Sequence, residues 1–261
     1  MAYSLHAFAA LLLLAPTAEL VTPVAPAPIA PAPVAPAPIA SAPVTSAPVT
    51  SAPVTTGIVT GAVTITRDSP TGRPKADRSG VVIYLEAPMD PEQEDRLLEE
   101  LPPVHEVRQI NKSFVPAVSA VIRGTEVRFP NDDMVFHNVF SLSKVKRFDL
   151  GLYKSGTTRS VTLTRPGIID VYCNIHPEMA AKILVLDNPY FAVTGVDGSF
   201  SIAGVPPGTY SFVAWQVRGE PVRGEVIVSA GAQARLDLKL VETPQSGAHT
   251  RKDGSPYGRY N

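Results

Sequence analysis

The chain of 261 residues has a single cysteine, Cys173, so no disulfide can form within it and one thiol is left to account for. Charge of one sign is also lacking. The 23 Lys and Arg are matched by 24 Asp and Glu, which leaves no electrostatic footprint for nucleic acid or an anionic membrane surface. The apolar run Ala7–Ala15 has nine residues, short of the roughly 20 that a membrane-spanning helix requires. No charged residue lies between Glu19 and Arg67, and no aromatic between Phe8 and Tyr84. The Ala and Val of that stretch therefore raise the apolar content without belonging to a core.

Proline is plentiful, at 27 residues, and eleven of these lie between Pro16 and Pro53. Ala7–Ala15 followed by Pro-Thr-Ala fits the apolar region and small-residue site of an export signal, expected over residues 1–18, although its leading residues carry no Lys or Arg. The repeats PVAPAPIA and SAPVT that follow, without glycine, predict an extended polyproline-type spacer over 19–56. A periplasmic or secreted location follows, with the spacer as a means of association with the cell envelope.

From Gly57 onward the sequence shows short β-branched runs punctuated by Gly, Pro, Asn and Asp. Predicted strands are Ile58–Thr66, Val81–Glu86, Phe114–Ile122, Glu126–Phe129, Ser160–Thr164, Ile168–Tyr172, Lys182–Leu186, Ser199–Ala203, Tyr210–Gln216, Glu225–Ser229 and Arg235–Val241. So many short strands predict an all-β sandwich architecture. The exception is Asp90–Leu101, where an N-cap Asp, Pro91 and early acidic residues predict a helix, placed in a connector over 89–105.

The segment Cys173-Asn-Ile-His176-Pro-Glu-Met179 lies between two predicted strands. A thiolate, an imidazole and a thioether on one tight loop can converge on a single soft ion. A further ligand must come from elsewhere, and His137, followed by Asn138, is the obvious supplier. Two imidazoles and a thiolate with a weak axial thioether form the ligand set of blue-copper electron-transfer sites. Taken singly, each residue has an ordinary structural reading: Cys as a small buried hydrophobe, Met as a filler of core gaps. The combination at loop spacing favours a metal, and the thioether favours copper over zinc.

On these residues Phe114–Leu186 resembles a cupredoxin, and the Cys-x2-His-x2-Met loop is similar to that of amicyanin. Ser113-Phe-Val-Pro-Ala, Val121–Asp133 and Phe136-His-Asn-Val-Phe are similar to the family's opening and first-ligand strands. The resemblance implies one type 1 copper ion held by His137, Cys173 and His176, with Met179 axial. It also implies that Asn138 braces the ligand loop by hydrogen bonds and that the edge of His176 reaches solvent. Met134, Phe136, Phe140 and Pro177 are candidates for an apolar patch where a redox partner protein docks. The chain as a whole resembles bacterial exported proteins labelled methylamine utilization protein.

Ala192–Tyr210 is similar to carboxypeptidase regulatory-like (transthyretin-like) β-sandwiches, but the fifty or so residues to Val241 are too few for a whole sandwich. Gly57–Glu86 resembles the opening of the same domain type. The expected organisation is therefore a discontinuous sandwich from 57–88 and 188–241, a cupredoxin domain at 106–187, and a polar, disordered tail at 242–261. The rival is a cupredoxin that uses Gly57–Leu186 continuously, with an incomplete C-terminal appendage.

Function is expected to be single-electron transport without catalysis. Only His6, His105 and His249 remain for a second copper site, and no G-x-S-x-G motif is present. Copper storage or delivery through the same ligands is the first alternative. An adhesion or carbohydrate-binding module is the second.

Overall fold

The computed structural model describes residues 55–69, 72–89, 104–244 and 249–257. The expected signal, nearly all of the proline-rich spacer and the helix Asp90–Leu101 lie outside the described residues.

Among the described residues there are strands and no α-helix. β1 (Gly57–Arg67) and β2 (Val82–Glu86) come first. Next are β3 (Val104–Glu106), β4 (Arg108–Ile110), β5 (Ser113–Val115), β6 (Val118–Ile122), β7 (Thr125–Pro130), β8 (His137–Ser141), β9 (Phe148–Tyr153), β10 (Thr158–Leu163), β11 (Gly167–Tyr172) and β12 (Ala180–Leu186). The last group is β13 (Phe191–Val193), β14 (Ser199–Val205), β15 (Gly208–Trp215), β16 (Val222–Val228) and β17 (Gln233–Glu242).

The first two strands pair with the last five. β1 lies between β14, antiparallel to it, and β17, parallel to it. β2 lies between β13 and β15, with β16 beyond. The two sheets enclose one apolar core that includes Val59, Val63, Ile83, Leu85, Phe200, Phe212 and Leu240. β1 supplies it by alternation, burying Val59, Val63 and Ile65, as a strand with one buried face must. Gly61 keeps the same period but has no side chain. A Cβ there would stand 1.7 Å from the Leu236 carbonyl oxygen, so only glycine lets β1 and β17 approach so closely.

The intervening strands build a second body. β6, β12, β11, β8 and β9 form one sheet, and β10, β7 and β3 another. Between them lie Phe129, Val139, Leu163, Ile169 and Ile183, joined by Phe114 from the β4–β5 ribbon.

The two bodies share a third apolar cluster, in which Val82 meets Ala120, Leu184 and Leu186, with Tyr84, Val118, Phe191 and Trp215 packed around them. This explains why two strand sequences do not alternate. In Val81–Leu85 the odd-numbered residues enter the first core, whereas Val82 and Tyr84 face the shared cluster. In β12, Ala181, Ile183 and Val185 serve the second core while Leu184 and Leu186 serve the shared one. A strand buried on both faces reads as a continuous apolar run. Asn188 ties the chain's exit from β12 to the region after β2, its side-chain amide donating to the carbonyls of Leu85 and Ala87.

Several local expectations change. The single strand expected over Phe114–Ile122 is two, β5 and β6, separated by Pro116 and Ala117; proline has no N–H to continue a ladder. Val104 and His105, expected in the connector, begin β3, which pairs in parallel with β7. Residue 242, expected in the tail, is the last of β17, and its carboxylate pairs with Lys75 and Arg218.

Candidate metal centre

His137 opens β8, Cys173 directly follows β11, and Met179 directly precedes β12, so the sheet itself brings three of the singled-out residues to one end. The Cys173–Met179 loop is closed by two backbone hydrogen bonds. The Cys173 N–H donates to the Met179 carbonyl, and the Met179 N–H to the His176 carbonyl, each at 3.2 Å. These bonds turn the loop back over the end of the sheet, leaving Cys173 and Met179 fully buried in the core and His176 partly exposed.

One potential donor atom from each of His137, Cys173 and His176 lies within 4.8 Å of the others. The Nδ1 atoms of the two imidazoles are 3.0 Å apart, and Cys173 Sγ is 3.6 Å from His176 Nδ1. Bonds of about 2.0–2.3 Å to a first-row ion place neighbouring donors roughly 3–4 Å apart, so these spacings fit a shared ion. His105 is elsewhere, on β3, with Nε2 2.8 Å from Ser119 Oγ.

The proton arrangement supports the same fit. His137 Nε2 lies 2.7 Å from Asp133 Oδ2. An ionised carboxylate only accepts, so Nε2 carries the proton and Nδ1 is left as a bare lone pair aimed at His176. Burial works to raise the Asp133 carboxyl, but N–H groups of Lys112 and Asn111 and the His137 ring outweigh it and hold Asp133 below the usual carboxylate range. Those two N–H groups converge because Asn111 and Lys112 both adopt left-handed backbone, φ 51° and 54°. Burial, followed by the adjacent His137, pushes His176 below the ordinary imidazole value, which favours its metal-binding neutral form.

Asn131 shapes the approach to His137. Its Oδ1 accepts from the Asp133 N–H, and its Nδ2 donates to the carbonyls of Val135 and Tyr153. The segment between is pushed outward: Met134 is 93% exposed and Phe136 54%. Phe140, grouped with them in the expected apolar patch, is instead core, 1% exposed and packed against the Tyr172 ring. It lies two residues beyond Asn138 on a strand whose two faces are both covered.

Asn138 makes a different contact from the one the family pattern implies. Its Nδ2 donates to Asp149 Oδ1 at 2.7 Å, and its buried Oδ1 has no partner among the described residues. Asp149 in turn accepts from Lys252 Nζ, and the Lys252 N–H donates to Asn174 Oδ1. The expected disordered tail therefore differs from the structure over 249–257, which lies against the loop. Asp133, Asp149, Lys252 and Tyr257 were all absent from the expected site. None of the four carries a local sequence pattern that marks it; Asp133 sits in an Asn-Asp-Asp turn that reads as an ordinary loop.

No family model matches the chain, and no curated protein does. Among solved structures it is similar to a purple cupredoxin from Nitrosopumilus maritimus, at 21% identity over 32% of this chain and 99% of that one, TM-score 0.29. It is similar to a reduced, singly substituted amicyanin at 21% identity over 40% of this chain and 98% of the other, TM-score 0.31. The third is a copper-containing nitrite reductase from Thermus scotoductus SA-01, at 25% identity over 39% of this chain but only 28% of the reductase, TM-score 0.32.

Proposed function

We propose that this chain is an exported mononuclear copper protein that passes single electrons between partner proteins, with no catalysis of its own. The observation that carries the reading is the convergence of two imidazole Nδ1 atoms and the Cys173 sulfur at mutual spacings a single ion satisfies. His137, Cys173 and His176 would hold the ion, and Met179, fully buried at the end of the loop, would offer a weaker thioether donor. A bound copper ion would supply a one-electron couple between Cu(I) and Cu(II). The chain's own contribution is to fix the donors beforehand. Asp133 holds His137 by its outer nitrogen, and the sheet holds Cys173 and Met179 at adjacent strand ends. Donors that move little between oxidation states keep reorganisation small, which suits electron transfer better than metal delivery.

His176 is the exposed member of the set, and Pro177 with Met134 and Phe136 forms exposed apolar surface in the neighbouring segments. A redox partner is proposed to dock there. The pairing of β1 and β2 with β13–β17 supports reading the outer body as a discontinuous sandwich into which residues 106–187 are inserted. The proline-rich spacer would hold both bodies away from the envelope in a periplasmic or secreted setting.

The test is to add Cu(II) to the purified chain and record its visible spectrum. An intense thiolate-to-copper band is expected, lost in Cys173→Ser and kept in His105→Ala. A copper-loaded wild type without that band overturns the proposal.

A further inference from the structure

Residues 249–257 run across the outside of the Cys173 loop and touch three consecutive residues, Tyr172, Cys173 and Asn174. The His249 ring stacks on Tyr172, with centroids 4.2 Å apart and planes at 15°. Tyr257 OH donates to the Cys173 carbonyl at 2.5 Å. The Lys252 N–H donates to Asn174 Oδ1 at 3.0 Å. The segment also reaches the other side of the centre, because Lys252 Nζ bonds Asp149, whose second oxygen holds the Asn138 amide next to His137.

The segment has structure of its own that presents these groups together. Arg251 and Ser255 bond through their backbones, Gly254 turns the chain at φ 84°, and Asp253 accepts from both the Ser255 N–H and hydroxyl. Within it His249 and Tyr257 meet edge to face at 5.2 Å, and the Arg251 guanidinium lies 5.5 Å over the Tyr257 ring. The turn therefore delivers an aromatic hydroxyl and a backbone donor to the loop, and a cation to Asp149 beside it, as one unit. None of them is a candidate donor to the ion.

We infer that the C-terminal segment 249–257 is a strap that positions the Cys173 loop, with Tyr257 its principal positioning residue. The inference deepens the copper reading and rests on it for its significance, but the mechanics do not depend on a metal. A short loop closed by backbone bonds of its own opens locally at modest cost. The strap adds contacts from a distant part of the chain, 78 and 84 residues away at the Asn174 and Cys173 contacts, so opening the loop must also break them. By fixing the Cys173 carbonyl it restrains the backbone that carries the Cys173 side chain. The segment thereby sets the geometry of the cysteine ligand.

The strap can be tested without metal through the alkylation rate of Cys173 by iodoacetamide in the metal-free full-length chain. Tyr257→Phe removes one neutral hydrogen bond and is expected to raise that rate about 2- to 10-fold. A chain ending at Ala248 loses every strap contact and should exceed that increase. Tyr210→Phe is the control, since Tyr210 also donates to a backbone carbonyl, that of Pro206 in the other body; its rate should match wild type. Equal rates for Tyr257→Phe, the shortened chain and wild type overturn the strap. So do equal rises in Tyr257→Phe and Tyr210→Phe. In the copper-loaded proteins Tyr257→Phe should shift the energy or relative intensity of the thiolate band and Tyr210→Phe should not. If wild type shows no such band, the copper reading fails, while the alkylation rates still decide whether the strap holds Cys173.

Discussion

The two bodies of this protein differ chiefly in where they bury polar groups. The one built from β1, β2 and β13–β17 has an apolar centre, and its buried polar side chains, such as Thr194, Gln216 and Glu242, lie at or just beyond strand ends. The one carrying the Cys173 loop buries Gln109, Asn131, Asp133, His137 and Asn138 within or against its core. Each of these must be hydrogen-bonded to offset desolvation, and most are: Gln109 donates to Phe129, Pro130 and Tyr153, and Asn131 to Val135 and Tyr153. Two oxygens, Gln109 Oε1 and Asn138 Oδ1, have no partner among the described residues. A polar interior of this kind weakens a core relative to an aliphatic one and is tolerated where it fixes a site. The shared cluster around Val82, Leu184 and Trp215 packs the outer body against this one.

The largest effect that could break this picture is loss of mechanical coupling. Phe129 is fully buried in the polar-rich body, and Phe129→Ala should cost about 3–5 kcal/mol. Trp215, the chain's one tryptophan, belongs to the other body but packs against the shared cluster. Urea unfolding followed by Trp215 fluorescence should therefore show one transition moved to lower urea in Phe129→Ala. If the fluorescence midpoint stays put while far-ultraviolet dichroism gains a separate early step, the two bodies unfold independently.

A smaller effect separates polar groups kept for the site from those kept for the fold. Asp133→Asn retains the shape but replaces one acceptor oxygen by a donor facing the N–H groups of Asn111 and Lys112 or the His137 ring. A stability loss of about 1–3 kcal/mol is expected from the unmet pairing. Metal affinity should fall about 10- to 100-fold, as when the outer partner of a ligating histidine is removed. Competitive copper titration measures the second quantity. A variant that loses stability but binds copper as wild type does would reduce Asp133 to a structural residue.

The same contrast governs how much the sequence reveals. Aliphatic alternation in β1 and the double-faced runs at Val81–Leu85 and Lys182–Leu186 are visible because apolar periodicity is a long-range averaged signal. β9 is not, because Asp149 and Gly151 punctuate Phe148–Tyr153 as a loop would; in the structure Gly151 takes φ 69° and its N–H bonds Asp149 within the strand. β3 and β4 have three residues each, too few for any period to register. At the site, His137, Cys173, His176 and Met179 stand out because few other roles demand those residue types at that spacing. Asp133 and the strap do not, since hydrogen bonds from backbone groups and contacts between distant parts of the chain leave no local pattern. Asn138 shows the limit of the resemblance: it implies a bond to the loop, whereas the Asp149 carboxylate takes the amide.

The smallest predicted effect compares two carboxylates, one in each body. Asp133 is kept ionised by neutral donors and an imidazole, whereas Glu242 is kept so by cations. Burial works to raise Glu242, but the hydrogen bond and charge of Lys75, together with Arg218, outweigh it and hold the carboxyl below its usual range. A carboxyl depressed in the folded state contributes stability that is complete above its unfolded pKa and disappears as pH falls through the folded value. Glu242→Gln should therefore cost about 1 kcal/mol near neutral pH, a figure kept small because Arg218 is partly exposed and screened. The difference from wild type should narrow below about pH 4, once the unfolded chain's carboxyl is protonated and the native one follows. Urea midpoints of the two proteins at about pH 7 and about pH 3, on either side of that range, measure it. A gap of constant size would mean that Glu242 acts through packing at the end of β17, and the rim of the outer body would then owe nothing to charge.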